Sequence, residues 1–182
     1  MYTKDTSISL NNYHFNISEW NLRYISLARE VSMWSKDPST RVGAVIVGDK
    51  GQILSQGYNG FPRGIADTKE RLNDRPTKLK LVVHAEMNCI YNASFSGVSL
   101  DNAKLYVYGL PVCSDCAKGV IQVGVKTVFM CYPTDIADKW KDSFNETAEM
   151  FNEAGVNFTS VGGRHQPSQN GIQSIEDFRS SF

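Results

Sequence analysis

Residues 104–131 read KLYVYGLPVCSDCAKGVIQVGVKTVFMC, and the alternation of patterns in this stretch decides the fold. The segments 104–110 and 126–131 are short apolar runs rich in Val, Tyr and Phe, which predicts two strands. Between them, 116–123 sets Ala117, Val120 and Ile121 at helical spacing, facing inward. A strand, a helix and a second strand in succession favour parallel pairing through a crossover. Downstream the pattern repeats: 137–154 carries Phe144, Ala148 and Phe151 at helical spacing, Gly155 is a natural stop, and 156–161 (VNFTSV) predicts the last strand. Upstream, His84 opens a helix with Met87, Ile90 and Tyr91 on one face. Before it, 42–48 (VGAVIVG) predicts a buried strand, Asp49-Lys50-Gly51 a turn and 52–55 the lead of a second strand, together a hairpin. The stretch 57–64 (GYNGFPRG) reads as a glycine-rich loop. A first helix starts at the N-cap Ser18, with Glu19 favourable in its first turn, and sets Tyr24, Leu27, Ala28, Val31 and Trp34 on one apolar face. It ends at Lys36-Asp37-Pro38-Ser39, because Pro disfavours helical geometry in the residue before it. Helix, hairpin, loop, then alternating helix and strand imply an α/β fold: a three-layer α/β/α sandwich around a mixed five-stranded sheet, with helices on both faces.

Length and composition bound this fold. The chain has 182 residues, enough for one domain that buries roughly 70% of its unfolded surface. The expected organisation is a polar arm over 1–17, a domain over 18–161 and a polar tail over 162–182. Hydrophobic residues make up 41% and charged residues 21%, which excludes wholesale disorder. Lys plus Arg equals Asp plus Glu at 19 each, so no cationic excess is available for general nucleic-acid binding. No long apolar run or export signal stands in the sequence, so the expectation is a soluble cytoplasmic protein without a membrane partner. Four cysteines are too few for a disulfide scaffold; Cys89 and Cys131 stand alone in apolar segments and read as core.

The chemistry concentrates at two predicted helix starts. His84-Ala85-Glu86 begins one, and Pro111-Val112-Cys113-Ser114-Asp115-Cys116 begins the other. Cys113 and Cys116 stand at i, i+3, so both sulfurs can face one point, and a helix N-terminus favours thiolates. One imidazole and two thiolates make three protein ligands, which suits Zn²⁺ with its fourth tetrahedral position open. At a first helical turn the side chains lean toward the N-terminus, so Glu86 can reach the open side of the same metal as a proton carrier.

This pattern, H-x-E followed by C-x-x-C after a strand, resembles the zinc-dependent cytidine/deoxycytidylate deaminase superfamily, and within it the deoxycytidylate (dCMP) deaminases. The resembling pieces are Ser35–Val47, 57–64, Val83-His-Ala-Glu-Met-Asn88 and Cys113-Ser-Asp-Cys-Ala-Lys118, spread over roughly residues 20–160. The resemblance implies a cytidine deaminase-like fold, His84, Cys113 and Cys116 as zinc ligands, and Glu86 as the proton shuttle. It implies a backbone contact from Ala85 to the pyrimidine carbonyl, a sugar contact from Asn59, and a substrate contact after Cys131, for which Tyr132 and Thr134 are the candidates. Arg41 is a candidate for the substrate phosphate, with an ordinary ion pair as the alternative. The implied reaction is hydrolysis of dCMP to dUMP and ammonia, which supplies dUMP for dTMP synthesis. Members of the family are often hexamers regulated by dCTP and dTTP with Mg²⁺. Gly57, Tyr58, Gly60, Arg63 and Gly64 are where such an effector would be sought.

One departure from the family pattern stands out. Pro usually precedes the first cysteine directly, whereas here Val112 separates Pro111 from Cys113. The insertion keeps open a reading in which the protein binds nucleotide without turning it over. Deamination of another base or nucleotide (dCTP, cytidine or a tRNA adenosine) also stays open, although the neutral charge argues against tRNA. A redox dithiol would leave His84 and Glu86 unexplained, and a structural zinc would need a fourth protein ligand. The stretch from Arg63 to Lys80 holds six basic and three acidic residues, and reads more readily as a solvated face than as a phosphate site.

Overall fold

A computed structural model of the chain describes residues 17–133 and 140–161. Most of the predicted arm and the whole predicted tail lie outside them. The first helix, α1 (Glu19–Ser32), is capped by Ser18, whose Oγ accepts from the Asn21 amide at 3.3 Å. Its buried stripe is Ile25, Ala28 and Val31. Trp34 does not share that stripe. The helix ends two residues earlier, and Trp34 stands 56% exposed with its ring edge-on to Tyr58.

Strand β1 (Gly43–Val47) is buried along its whole length and pairs antiparallel with β2 (Ile53–Tyr58). The second strand is longer than its sequence suggests, because Gly57 and Tyr58 continue the ladder and the loop begins only at Asn59. Two short helices follow, α2 (Lys69–Asn73) and α3 (Arg75–Leu81), capped by the side chains of Thr68 and Asp74. Neither contributes a buried residue. Then come α4 (Ala85–Phe95), β3 (Lys104–Tyr108), α5 (Ser114–Gln122), β4 (Thr127–Cys131), α6 (Lys141–Ala154) and β5 (Asn157–Ser160). Gly155 closes α6 at φ 67°, a left-handed position that suits glycine. The predicted start of this helix at 137 lies outside the described residues.

The sheet order is β2-β1-β3-β4-β5. Strand β1 runs antiparallel to both its neighbours, β2 and β3, and β3, β4 and β5 are parallel. One face carries Ala44, Ile46, Leu105, Val107, Val128 and Met130 against α4, α5 and α6. The other carries Val45, Val47, Tyr106 and Phe129 against α1. Three layers result, but the crossover helices do not alternate between faces. The strands step one way from β3 to β5, so right-handed crossovers put α5 and α6 on the same side, and among the described residues α1 alone covers the opposite one.

Helix α4 buries Ala85, Glu86, Cys89, Ile90 and Ala93, while Tyr91 points outward at 50% exposure, so the buried face is rotated from the one its sequence suggests. The rotation follows from how closely α4 sits on β2. A Cβ on Gly57 would lie 2.3 Å from the Cys89 nitrogen and 2.6 Å from the Ala85 oxygen, so only glycine lets these backbones meet. Hydrogen bonds hold the contact. Ser55 donates to the Cys89 carbonyl at 2.6 Å, and the side-chain amides of Asn88 and Asn92 donate to the carbonyls of Tyr58 and Gln56 at 2.8 and 2.7 Å. These two amides satisfy carbonyls of an edge strand that would otherwise be open to another chain.

Candidate metal centre and active site

The packing of α4 and α5 on one sheet face brings their N-termini together. His84 is the N-cap of α4 and Cys113 the N-cap of α5, both extended in backbone, and Cys116 lies in the first turn of α5. His84 Nδ1 stands 3.4 Å from Cys113 Sγ and 3.4 Å from Cys116 Sγ. Tetrahedral Zn²⁺, with bonds of ~2.3 Å to sulfur and ~2.0–2.1 Å to nitrogen, places such atoms ~3.5–3.6 Å apart, so the trio already has the dimensions of a zinc site. The three ligand atoms all lie within 4.8 Å of one another, and this is the one such group among the described residues. Cys116 is buried, Cys113 half-buried and His84 exposed, which leaves one side open, as a catalytic rather than a structural site requires.

The charges fit a cation. A hydrogen bond from the Cys116 thiol lowers Cys113 to about 4, with His84 adding to the effect against the opposing pull of burial. Cys116 is pushed upward by the Cys113 thiolate beside it and by burial. Cys113 likewise raises His84 to about 8 by hydrogen bonding. The metal-free trio thus gathers a thiolate and protons that a cation would replace. Glu86 is 4% exposed, and burial raises its carboxyl to about 7.

Val112 does not displace this arrangement. Its side chain is fully buried in the core, and its carbonyl accepts from Thr147 Oγ1 of α6 at 3.0 Å. Ser143, one turn earlier on α6, accepts from the Ser114 amide at 3.0 Å. The inserted residue is absorbed as a core residue, α6 clamps the start of α5, and both sulfurs still converge on His84.

The trio opens into a cavity of about 450 Å³, with His84, Glu86 and Cys113 at one wall. Ala85 and Asn59 also line it. Asn59 is buried, and its side chain accepts from the Val42 amide at 2.8 Å and donates to the Thr40 carbonyl at 2.9 Å. Arg41 is exposed and outside the lining; its Nε donates to the Asp37 carbonyl at 3.5 Å. Tyr132 is half-buried and outside the lining too, edge-on to Phe144. Thr134 lies outside the described residues.

The loop after β2 is likewise held by local contacts. Gly60 exchanges backbone hydrogen bonds with Val83, at 3.1 and 2.8 Å. Arg63 donates to Asn92 Oδ1 and lies over the Phe95 ring, on the outer side of α4. Gly64 adopts φ 80°, and Tyr58 is exposed at the end of β2.

The structure adds cavity residues that the sequence did not single out. Asp37 and Ser39 from the turn after α1, Arg75 and Lys78 from α3, and Trp140 all line it. Lys78 Nζ lies 3.0 Å from Asp37 Oδ1 and 2.6 Å from Ser39 Oγ, and the paired side chains are only 13% and 9% exposed. The only sequence signal for this wall was the basic excess from Arg63 to Lys80.

A buried carboxyl beside three ligands suited to a Lewis-acid cation, at the end of a cavity of small-molecule size, equips the protein for hydrolysis at an electron-poor ring carbon. That defines the class of zinc-dependent deaminases. Residues 18–132 match the family described as the cytidine and deoxycytidylate deaminase zinc-binding region. Human deoxycytidylate deaminase is 37% identical over 147 residues, covering 77% of this chain and 78% of the human one. An uncharacterised deaminase in the luxG 3′ region of Aliivibrio fischeri is 37% identical over 144 residues, covering 79% of this chain and 94% of that protein. The crystal structure of dCMP deaminase from the cyanophage S-TIM5 superposes with a TM-score of 0.59 at 27% identity, covering 77% of this chain and 95% of the phage protein. The chain belongs to the cytidine and deoxycytidylate deaminase family.

Proposed function

We propose that the protein deaminates dCMP to dUMP, with release of ammonia. The observation that carries this reading is the convergence of His84, Cys113 and Cys116 beside the buried carboxyl of Glu86, at the wall of a cavity large enough for a nucleotide. Similarity to deoxycytidylate deaminases supports the choice of substrate.

Bound at this trio, Zn²⁺ supplies a Lewis acid that lowers the pKa of water toward ~7. Glu86 takes a proton from the water that adds to C4 of the cytosine and delivers it to ring N3. It then carries the remaining proton of the added hydroxyl to the departing amine, so that the oxygen becomes the C4 carbonyl of dUMP, the C–N bond breaks and ammonia leaves. The burial that raises Glu86 suits a group that must both accept and return a proton near neutral pH. Ala85 presents its backbone to the base, Asn59 frames the cavity beside it, and Tyr132 is assigned its substrate contact on the family resemblance alone.

The family resemblance supports a wider reading. The protein is a cytoplasmic homo-oligomer, a hexamer, that responds to dCTP and dTTP with Mg²⁺. The effector contacts are Tyr58, Gly60, Arg63 and Gly64, with Gly57 backing the turn from within β2. No helix among the described residues is long and apolar enough to cross a membrane.

The test is ammonia release from dCMP, dCTP, CMP and deoxycytidine by zinc-loaded protein, with and without dCTP and Mg²⁺. Turnover of dCMP in preference to the other three is expected. Silence on all four with zinc bound would refute the assignment, and stimulation by dCTP would support the effector reading.

A further inference from the structure

We infer that Arg75 recognises the 5′-phosphate of the substrate, so that α3 makes the enzyme a nucleotide deaminase rather than a nucleoside deaminase. This rests on the substrate reading above and deepens it. Apart from the metal trio, the charged side chains lining the cavity are Asp37, Arg75, Lys78 and Glu86. Glu86 belongs to the reacting end and is nearly fully buried. Lys78 is already committed, with its ammonium between the Asp37 carboxylate at 3.0 Å and Ser39 Oγ at 2.6 Å. A phosphate would have to displace that partly buried pair to reach it.

Arg75 is different. It lines the same cavity, it is exposed, and among the described residues its guanidinium makes no ion pair or hydrogen bond. A long cation at a cavity wall, with no carboxylate paired to it among the described residues, is equipped for an anion that arrives with the ligand, and guanidinium matches phosphate oxygens in a bidentate fork.

The fold also fixes where Arg75 points. Arg75 and Lys78 are three residues apart on α3 and therefore share a face. The Lys78–Asp37 pair ties that face to the turn after α1, so the same bond that neutralises Lys78 aims Arg75 at the cavity. Lys36 adds a second tie across the same gap, pairing with Asp67 at 2.9 Å just before α2. The catalytic groups come from α4 and α5, and Arg75 comes from a separate wall, which suits a ligand whose base and phosphate lie at opposite ends. Arg41 has the right charge but stands outside the lining.

The experiment compares zinc-loaded wild type with Arg75→Gln in two assays: steady-state deamination of dCMP and deoxycytidine, and calorimetric binding of dUMP and deoxyuridine. Loss of one bidentate contact to a charged group should raise KM for dCMP and Kd for dUMP about 10- to 100-fold in Arg75→Gln. The nucleoside values should stay within about twofold, because no phosphate is present to be read. Arg75→Lys should recover part of the dCMP effect, since it restores the charge but not the fork. Equal losses on nucleotide and nucleoside, or no loss on either, would overturn the assignment. So would a dCMP-specific loss in Arg41→Gln with Arg75→Gln unaffected. A wild-type protein that neither turns over dCMP nor binds dUMP would overturn the substrate reading and this one together, which separates that failure from a failure of Arg75 alone.

Discussion

Replacing Gly57 with alanine adds one methyl group and tests how the site is held. The backbone of Gly57 is not in the left-handed region, so alanine meets no conformational penalty there and any effect is steric. The new Cβ would lie 2.3 Å from the Cys89 nitrogen, 2.6 Å from the Ala85 oxygen and 2.8 Å from the Asn88 carbonyl carbon, all backbone atoms of α4 that cannot rotate away. Ordinary contact begins at about 3.5 Å, so α4 must recede by about 1 Å. Overpacking of this kind costs about 1–3 kcal/mol, and for a chain of this length each kcal/mol lowers Tm by about 2–4 °C. The consequence for activity is larger, because α4 carries His84 at its cap and Glu86 in its first turn. A misplacement of ~1 Å in a catalytic constellation can cost ~10²-fold in rate. Gly57→Ala should therefore show a lower Tm by calorimetry and a fall in kcat/KM of about two orders of magnitude. It should also lose some zinc by metal analysis, since His84 moves while the cysteines on α5 do not. Unchanged Tm, zinc content and turnover would refute the reasoning that close packing on β2 sets the position of the catalytic helix.

Glu86→Gln should bind zinc as tightly as wild type yet lose about 10²–10⁴-fold in kcat, measured by metal analysis and ammonia release; retained turnover would remove Glu86 from the mechanism. Removing zinc with a chelator should abolish turnover and lower Tm, and added Zn²⁺ should restore both, because the cation binds the folded trio better than the unfolded chain. Acid unfolding should report on Asp37. Burial opposes its ionisation, yet hydrogen bonds from the Ser39 and Thr40 amides, Lys78 and the Ser39 hydroxyl hold its carboxyl below the ordinary range. A carboxyl lowered by folding stabilises the protein fully above its unfolded pKa, near ~3.9, and that contribution is lost as pH falls through the lower folded value. Asp37→Asn should therefore be less stable than wild type at neutral pH, and the gap should close below about pH 4 in chemical denaturation. A gap that persists into acid would refute this.

Some elements were legible in the residues and others were not, and the division is physical. Ser18 and Gly155 announce their helix ends because a capping oxygen and a left-handed backbone are local requirements. Cys113 and Cys116 announce a shared focus because a spacing of three on a helix puts two side chains on one side. Trp34 misled because helical periodicity ran past the point where the helix stops. Tyr91 misled because the buried face of α4 is set by how closely β2 approaches, and Gly57 allows an approach that periodicity cannot register. Arg41, the phosphate candidate in the sequence, stands outside the cavity, and Arg75, which the sequence did not single out, lines it.

The sequence by itself determined the element order apart from α2 and α3, the convergence of His84, Cys113 and Cys116 as a group that suits a metal, and Glu86 as the carboxyl expected beside it. These depend on side-chain type and on spacings of a few residues, which a linear chain already contains. Only the tertiary structure decided that α5 and α6 share a face, that Val112 disappears into the core under Thr147, and that α3 lines the cavity with one committed cation and one that has no partner among the described residues. Those features are contacts between residues about 35 and 41 positions apart in the chain, as in Val112 with Thr147 and Asp37 with Lys78. Such contacts exist only once the sheet has fixed where each helix lies.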